Sequence, residues 1–147
     1  GLWLNNCLGE IELNRRGLDA GPPGSRLPSN MAPSVARRDG AVLAVGSPGA
    51  DRITTAMQQF LINYLQLGMP LGEAIAHPRV HVDTSGAVVN LKAEPGLDLP
   101  DVGLPVNMFP GIVMYFGGVG AAAFDASSGF DVAADPRREG GVFNPDA

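Results

Sequence analysis

"SVARRDGAVLAVGSPGADRI", residues 34–53, joins two apolar runs across an Asp-Gly pair and then runs through a glycine turn into a helical pattern. Asp39-Gly40 is a two-residue hairpin signal, because the favoured tight turn needs positive φ at both central positions. A hairpin is therefore predicted over Ser34 to Val45, turning at Arg37-Arg38-Asp39-Gly40. Its second strand is apolar at every position from Ala41 to Val45, which predicts burial on both faces under helices or a second sheet. Beyond Gly46-Ser47-Pro48-Gly49, the residues Ile53, Met57, Phe60, Leu61, Tyr64 and Leu65 recur at helical spacing. Asp51 is placed to cap this helix and Gly68 to end it.

Further along the chain, Leu71 to Ala76 reads as a short helix that ends before Pro78. Val80 to Glu94 reads as a second hairpin across Ser85-Gly86. Leu97 to Pro110 fits no element. "IVMYFGGVGAAAFD" (112–125) and "FDVAAD" (130–135) predict a final strand pair across Ser127-Ser128-Gly129, followed by an irregular tail. Towards the start, Leu2 to Leu4 fits a buried strand, and Asn14 to Ser34 a long loop stiffened by Pro22, Pro23, Pro28 and Pro33. The opening Gly-Leu-Trp-Leu-Asn-Asn has no initiator Met, charged region or small-residue cleavage site, so it reads as the interior of a longer protein.

With 147 residues the chain is the size of one domain, and 45% hydrophobic against 17% charged residues is too apolar for intrinsic disorder. There is no apolar run of membrane-spanning length. A net charge of -5, with basic residues that cluster only as short pairs, argues against a nucleic-acid partner. The single Cys7 excludes an internal disulfide and gives no metal-ligand cluster.

Four places could carry chemistry. In "VLAVGSPGADRI" a strand feeds a turn that opens a helix, leaving backbone N–H groups free to meet negative charge on a carbonyl oxygen, with Gly49 and Ala50 as the donors. The plainer alternative is an ordinary strand-to-helix turn capped by Asp51. A phosphate-binding loop is excluded, since no Gly-Lys-Ser/Thr follows. In "PSNMAP" (28–33), Ser29 and Asn30 offer a hydroxyl and an amide on stiff backbone, suited to a carboxylate or carbonyl, or simply to satisfying the turn. Glu10 could meet an ammonium group or be a solvated acid. His81 and Asp83 alternate on one strand without a third ligand nearby, which favours a structural histidine over a metal site.

Taken in order, "GLWLNNCLGEI", "SRLPSNMAPSV", "GSPGADRI", "AIAHPRVH" and "AADPRREGGV" resemble the C-terminal, small-subunit part of the γ-glutamyltranspeptidase family. The corresponding family patterns are Gly-x-x-Leu-Asn-Asn-x-x-x-Asp-Phe, Arg-Pro-Leu-Ser-Ser-Met-x-Pro-Thr, Gly-Ser-Pro-Gly-Gly-Ser-Arg-Ile, Ala-x-x-x-Pro-Arg-x-His and Asp-Pro-Arg-x-x-Gly. The resemblance spans nearly the whole chain, with Lys92 to Pro110 the poorest fit.

The resemblance implies an N-terminal-nucleophile hydrolase of the α/β class: a partial αββα sandwich, mostly antiparallel, with helices on one face and its two sheets drawn from both subunits. It implies a threonine nucleophile made by self-cleavage, placed some tens of residues before Gly1, that attacks γ-glutamyl amides. Thr54, Thr55 and Thr84 have no matching context. By position, Glu10 would hold the substrate ammonium, Ser29 and Asn30 its carboxylate, and the N–H groups of Gly49 and Ala50 the oxyanion, while Asn5 and Asn6 match a supporting pair. No cofactor or metal is implied, and the partners are the γ-glutamyl substrate, the large subunit and the rest of the small subunit. Four departures stand out: Glu10 for Asp, Asn30 for the second Ser, Ala50 for the second Gly, and Leu27-Pro28 for Pro-Leu. They leave room for a related amide acylase or a non-catalytic module of the same fold. The isolated chain is expected to be inert and to self-associate through its apolar strands.

Overall fold

The computed structural model describes residues 7–17 and 21–143. The strand expected at Leu2 to Leu4 and the Asn5-Asn6 pair lie outside the described residues. The predicted hairpin forms from β1 (Ser34–Arg38) and β2 (Ala41–Gly46), in antiparallel register from Ser34↔Val45 to Arg38↔Ala41. Asp39 and Gly40 take φ values of 50° and 86°, both positive as the two-residue turn requires. Near the other end of the chain, β6 (Gly120–Asp125) and β7 (Gly129–Ala134) form the final pair, and β6 adds to β2 to give an antiparallel sheet of order β1-β2-β6-β7.

Helix α1 (Arg52–Leu61) lies on one face of this sheet with α2 (Leu71–Ala76), at the bounds expected for the short helix. Ile53, Ala56, Met57 and Phe60 of α1 and Leu71, Ala74 and Ile75 of α2 are buried against Leu43 and Val45 of β2. Each large apolar side chain removed from water in this way contributes about 1.5–3 kcal/mol. Past Leu61 the helix widens into a π-helical turn, Ile62–Gln66, in which Leu67 N–H donates to Ile62 O at 3.0 Å. The extra residue in that turn rotates the apolar face, so Tyr64 stays partly buried while Leu65 is exposed. Gly68, at φ 69°, ends the helix as the sequence predicts.

β2 departs from its expectation of burial on two faces. Leu43 and Val45 face the helices, so Val42 and Ala44 face the other way. Val42 pairs there with Arg37 and Phe124, and Ala44 with Val35 and Ala122, while β6 carries the face on to Val132 and Phe130. Val35 is 71% exposed, Phe124 38% and Phe130 43%, and the two phenylalanine rings stack obliquely at 4.9 Å.

A smaller sheet of order β3-β4-β5 contains the predicted second hairpin, β3 (Val80–Asp83) and β4 (Asn90–Ala93). β5 (Val106–Met108) pairs with β4 in parallel and lies inside the stretch that the sequence left unassigned. The edge of β3 is held to α1 by Gln59, whose side chain donates to Val80 O at 2.8 Å and accepts Val80 N–H at 3.0 Å.

Two other expectations are corrected. The last strand pair begins at Gly120 rather than Ile112, because Met114–Phe116 forms a 3-10 turn and Gly117 turns the chain at φ 81°. Nor is the segment after Asp135 irregular. Pro136–Arg138 is a 3-10 turn in which Arg137 N–H donates to the Asp135 carboxylate, and Arg137 is buried. Arg137 donates to Asp135 at 3.0 Å and to both oxygens of Glu94, while Arg79 donates to Asp135 at 2.7 Å. Main-chain oxygens of Ile75, His77 and Phe116 take the remaining guanidinium N–H bonds. Burial raises the Asp135 pKa, but the Arg79 charge and the N–H donors of Val119 and Arg137 outweigh it and hold the carboxyl below its ordinary value.

Candidate functional site

The site is built at the end of β2, where the chain turns through Ser47 to Asp51 before α1. Gly49 takes φ 127° and Ala50 φ 47°, a left-handed value that a residue bearing a Cβ rarely adopts. Arg52 N–H donates to Gly49 O at 3.0 Å and Ile53 N–H to Ala50 O at 3.1 Å, so both carbonyls are turned into the start of the helix. The N–H groups of Gly49 and Ala50 donate to no acceptor among the described residues. The turn is pressed against Gly117: a Cβ on Gly49 would lie 3.0 Å from Gly117 Cα, and one on Gly117 3.2 Å from Pro48 O.

Asp51 stands where a cap was expected, but its backbone is already helical and its side chain makes no capping bond. It faces the proline-rich loop instead. The Asn30 amide nitrogen donates to Asp51 Oδ1 and to Ala50 O, each at 3.4 Å, and Arg15 approaches the other carboxylate oxygen at 3.7 Å. The two stretches singled out in the sequence therefore meet, through Asn30 and the Ala50-Asp51 turn. Glu12, Asn14, Arg15, Pro28, Asn30 and Asp51 contribute to the lining of a cleft of about 350 Å³ beside them.

Ser29 and Glu10 make no hydrogen bond to the turn. Ser29 is exposed, and its Oγ accepts Met31 N–H at 3.2 Å within its own loop. Glu10 is half-buried after the short turn Cys7–Gly9, and its main-chain oxygen accepts N–H bonds from Leu13 and Asn14. Its carboxylate has no hydrogen-bond partner among the described residues.

Glu12 and Arg52 are contributors that the sequence reading passed over. Arg52 donates to Glu12 at 3.1 Å and to Tyr115 O at 3.3 Å, and its guanidinium lies 5.0 Å from the Tyr115 ring centroid. The loop carrying Glu10 is thereby fastened to the start of α1. The Glu12 backbone N–H and the Arg52 guanidinium hold the Glu12 carboxyl below its ordinary value. The signal was available, since Arg52 occupies the arginine of the "GSPGADRI" block.

His81 is buried against α1, with Nδ1 3.0 Å from Thr55 Oγ1. The Thr55 hydroxyl donates to Arg52 O at 3.2 Å, so it accepts from His81 Nδ1–H and thereby sets the tautomer. Burial, and secondarily the Arg52 charge, push the His81 pKa down. Asp83 is engaged by Ser85 N–H at 2.9 Å and its hydroxyl at 2.6 Å, with Lys92 3.7 Å away. Among the described residues no group of three His, Cys, Asp or Glu side chains could hold a metal ion, and no helix is long and apolar enough to cross a membrane.

Comparison with known proteins bears on the whole chain. A family model described as gamma-glutamyltranspeptidase matches residues 1–144. Glutathione hydrolase 5 proenzyme of Mus musculus is 38% identical over 96 residues, covering 60% of this chain and 16% of that protein. Glutathione hydrolase proenzyme of Pseudomonas aeruginosa is 48% identical over 60 residues, covering 40% of this chain and 11% of that protein. The chain therefore spans only a small part of these curated relatives. Among solved structures, a gamma-glutamyltranspeptidase from Pseudomonas nitroreducens complexed with L-DON superposes with a TM-score of 0.68 and 29% identity, covering 86% of this chain and 67% of that one.

Proposed function

The chain belongs to the gamma-glutamyltranspeptidase family, and from that premise we propose that the protein carrying it breaks γ-glutamyl amides and passes the acyl group to water or to an amino acceptor. In this reading residues 1–147 are the C-terminal part of the small subunit. The nucleophile is a threonine outside these residues whose own α-amine takes the hydroxyl proton as Oγ attacks the γ-carbonyl. Thr54 and Thr55 are unsuited to that part: both lie on α1, with hydroxyls bonded to Asp51 O and Arg52 O at 3.2 Å.

The observation that carries the reading is the Gly49–Ala50 turn. Two adjacent backbone N–H groups without acceptors, held by both carbonyls and backed by Gly117, form a rigid donor pair for the oxygen that becomes negative as the tetrahedral intermediate forms. Collapse of that intermediate expels the amine, which takes the proton back, and the acyl-threonine is then released by water or an amine. Ser29, beside Asn30, marks the carboxylate end of the substrate, and the Glu10 carboxylate, unpartnered among the described residues, its ammonium end. The open face of the four-stranded sheet, with Val35, Phe124 and Phe130 exposed, supports a second sheet from the rest of the protein as its cover.

The test is hydrolysis of a chromogenic γ-glutamyl anilide by the full-length protein, with a gel that follows self-cleavage. Turnover with cleavage is the expected result. Cleavage without turnover would move the substrate to another amide, and loss of both would leave a binding module.

A further inference from the structure

We propose that Asn30 is a positioning residue for the Gly49–Ala50 turn and that Asn30 and Ala50 form a matched pair; the proposal rests on the reading of that turn as the oxyanion site. Both groups facing the Asn30 amide, the Ala50 carbonyl and the Asp51 carboxylate, are acceptors, so the nitrogen end of the amide must point at them. Its two N–H groups are then both committed to the turn, which leaves none for a ligand carboxylate. What Asn30 contributes to the site therefore passes through the turn it holds.

The need for such a hold comes from Ala50, at φ 47°. That angle is set by the two peptide planes on either side of it. The plane before Ala50 is fixed by Gly49 O accepting Arg52 N–H at 3.0 Å. The plane after it is fixed by Ala50 O, which accepts Ile53 N–H at 3.1 Å and the Asn30 amide at 3.4 Å. Asn30 is the only one of these anchors that does not belong to the helix start itself. It comes from 20 residues earlier in the chain, on backbone restricted by Pro28 and Pro33. A glycine at position 50 would need no such anchor, because it occupies the left-handed region without steric penalty. The two departures from the family blocks thus meet: the amide in place of the second serine reaches the main-chain oxygen of the residue that bears a Cβ in place of the second glycine.

The experiment is a double-mutant cycle in the full-length, self-cleaved protein: Asn30→Ser, Ala50→Gly and both together, read as kcat and KM on the γ-glutamyl anilide and as the urea midpoint. Asn30→Ser should lower kcat about tenfold with KM within about threefold. In the Ala50→Gly background, which removes the strained Cβ, Asn30→Ser should cost much less kcat than it does in the parent. A rise in KM with kcat unchanged would mean that Asn30 touches the substrate carboxylate, and equal losses in the Ala50 and Ala50→Gly backgrounds would mean that the two residues are uncoupled. Either result overturns the proposal. If the self-cleaved parent does not turn over the anilide, the γ-glutamyl reading fails separately, and the pairing is decided by the urea midpoints. Asn30→Ser should then lower the midpoint more in the parent than beside Ala50→Gly, and equal shifts would refute the pairing.

Discussion

Gly49→Ala is the sharpest perturbation of the turn. The new Cβ would lie 3.0 Å from Gly117 Cα and 3.7 Å from Gly117 N, whereas carbon atoms rest comfortably at about 3.5–4.0 Å. Gly117 is held where it is by the bonds on either side of it, Phe116 O accepting from Arg79 at 3.0 Å and Val119 N–H donating to Asp135 at 2.8 Å. The backbone angle of 127° adds strain of about 1–3 kcal/mol for a residue with a side chain, and forcing a methyl group into packed structure adds about 1–3 kcal/mol. The two together predict a loss of about 2–6 kcal/mol, or a fall of about 1–3 M in the urea midpoint for an m-value near 2 kcal/mol/M. The assay is urea unfolding followed by far-UV circular dichroism, with Gly46→Ala as the control, because a Cβ there meets nothing within 4 Å. In the full-length protein the same change should lower kcat by about 10²–10³ through displacement of the N–H donors. A Gly49→Ala midpoint indistinguishable from that of Gly46→Ala would refute the close approach and the rigidity argued from it.

Arg137→Met leaves the buried carboxylates of Glu94 and Asp135 short of a partner and should lower stability by about 3–5 kcal/mol; in a thermal melt the exposed Arg37→Met should move by no more than about 0.5 kcal/mol, and equal shifts would contradict the network. For pH, the folded pKa of His81 lies below its ordinary 6.5, so as pH falls the unfolded chain takes up the proton first and stability drops from about pH 6.5 downward. His81→Gln should flatten the urea midpoint between pH 7 and 5, while the further loss below about pH 4 persists as Glu12, Asp83 and Asp135, whose folded pKa values are depressed, become protonated; an unchanged slope in the variant would remove His81 as its source. On the open sheet face, the isolated chain should self-associate in sedimentation and Phe124→Ser with Phe130→Ser should shift it towards monomer; a monodisperse parent monomer would show that the face needs no cover.

What was legible in the sequence was whatever short-range chemistry decides. Asp39-Gly40 admits one kind of turn, and the hairpin register follows from it. The spacing from Ile53 to Phe60 fixes which face of α1 is buried, and Pro78 limits α2. β5 was not legible because its three residues lie between Pro105 and Pro110, and its ladder is made by β4, with Leu91 N–H donating to Pro105 O at 2.8 Å. Asp51 was misread as a cap because a carboxylate at a helix start ordinarily serves the helix, and here Asn30 and Arg15 compete for it from a distant loop. The meeting of Asn30 with Ala50 was foreshadowed only by the order of the blocks, and no periodicity encodes it.

The buried ions explain why a short tail matters to a turn far from it in sequence. Asp135 Oδ2 accepts Val119 N–H at 2.8 Å, and Arg79 donates to Phe116 O at 3.0 Å. These two bonds grip the ends of the Phe116 to Val119 segment, and between them lies Gly117, the surface against which Gly49 rests. Gly118 N–H reaches Ser47 Oγ at 3.3 Å and closes the contact from the side of the turn. An apolar cluster of the same volume could match the stability of these ion pairs, since desolvation offsets much of the Coulomb gain. It could not fix the direction of a backbone segment, because apolar contacts are non-directional whereas a bidentate guanidinium and a carboxylate between two N–H donors are not. Two arginines and two acids in the core therefore serve geometry more than stability: they set the platform, the platform sets Gly49, and Gly49 sets where two unpaired N–H groups point.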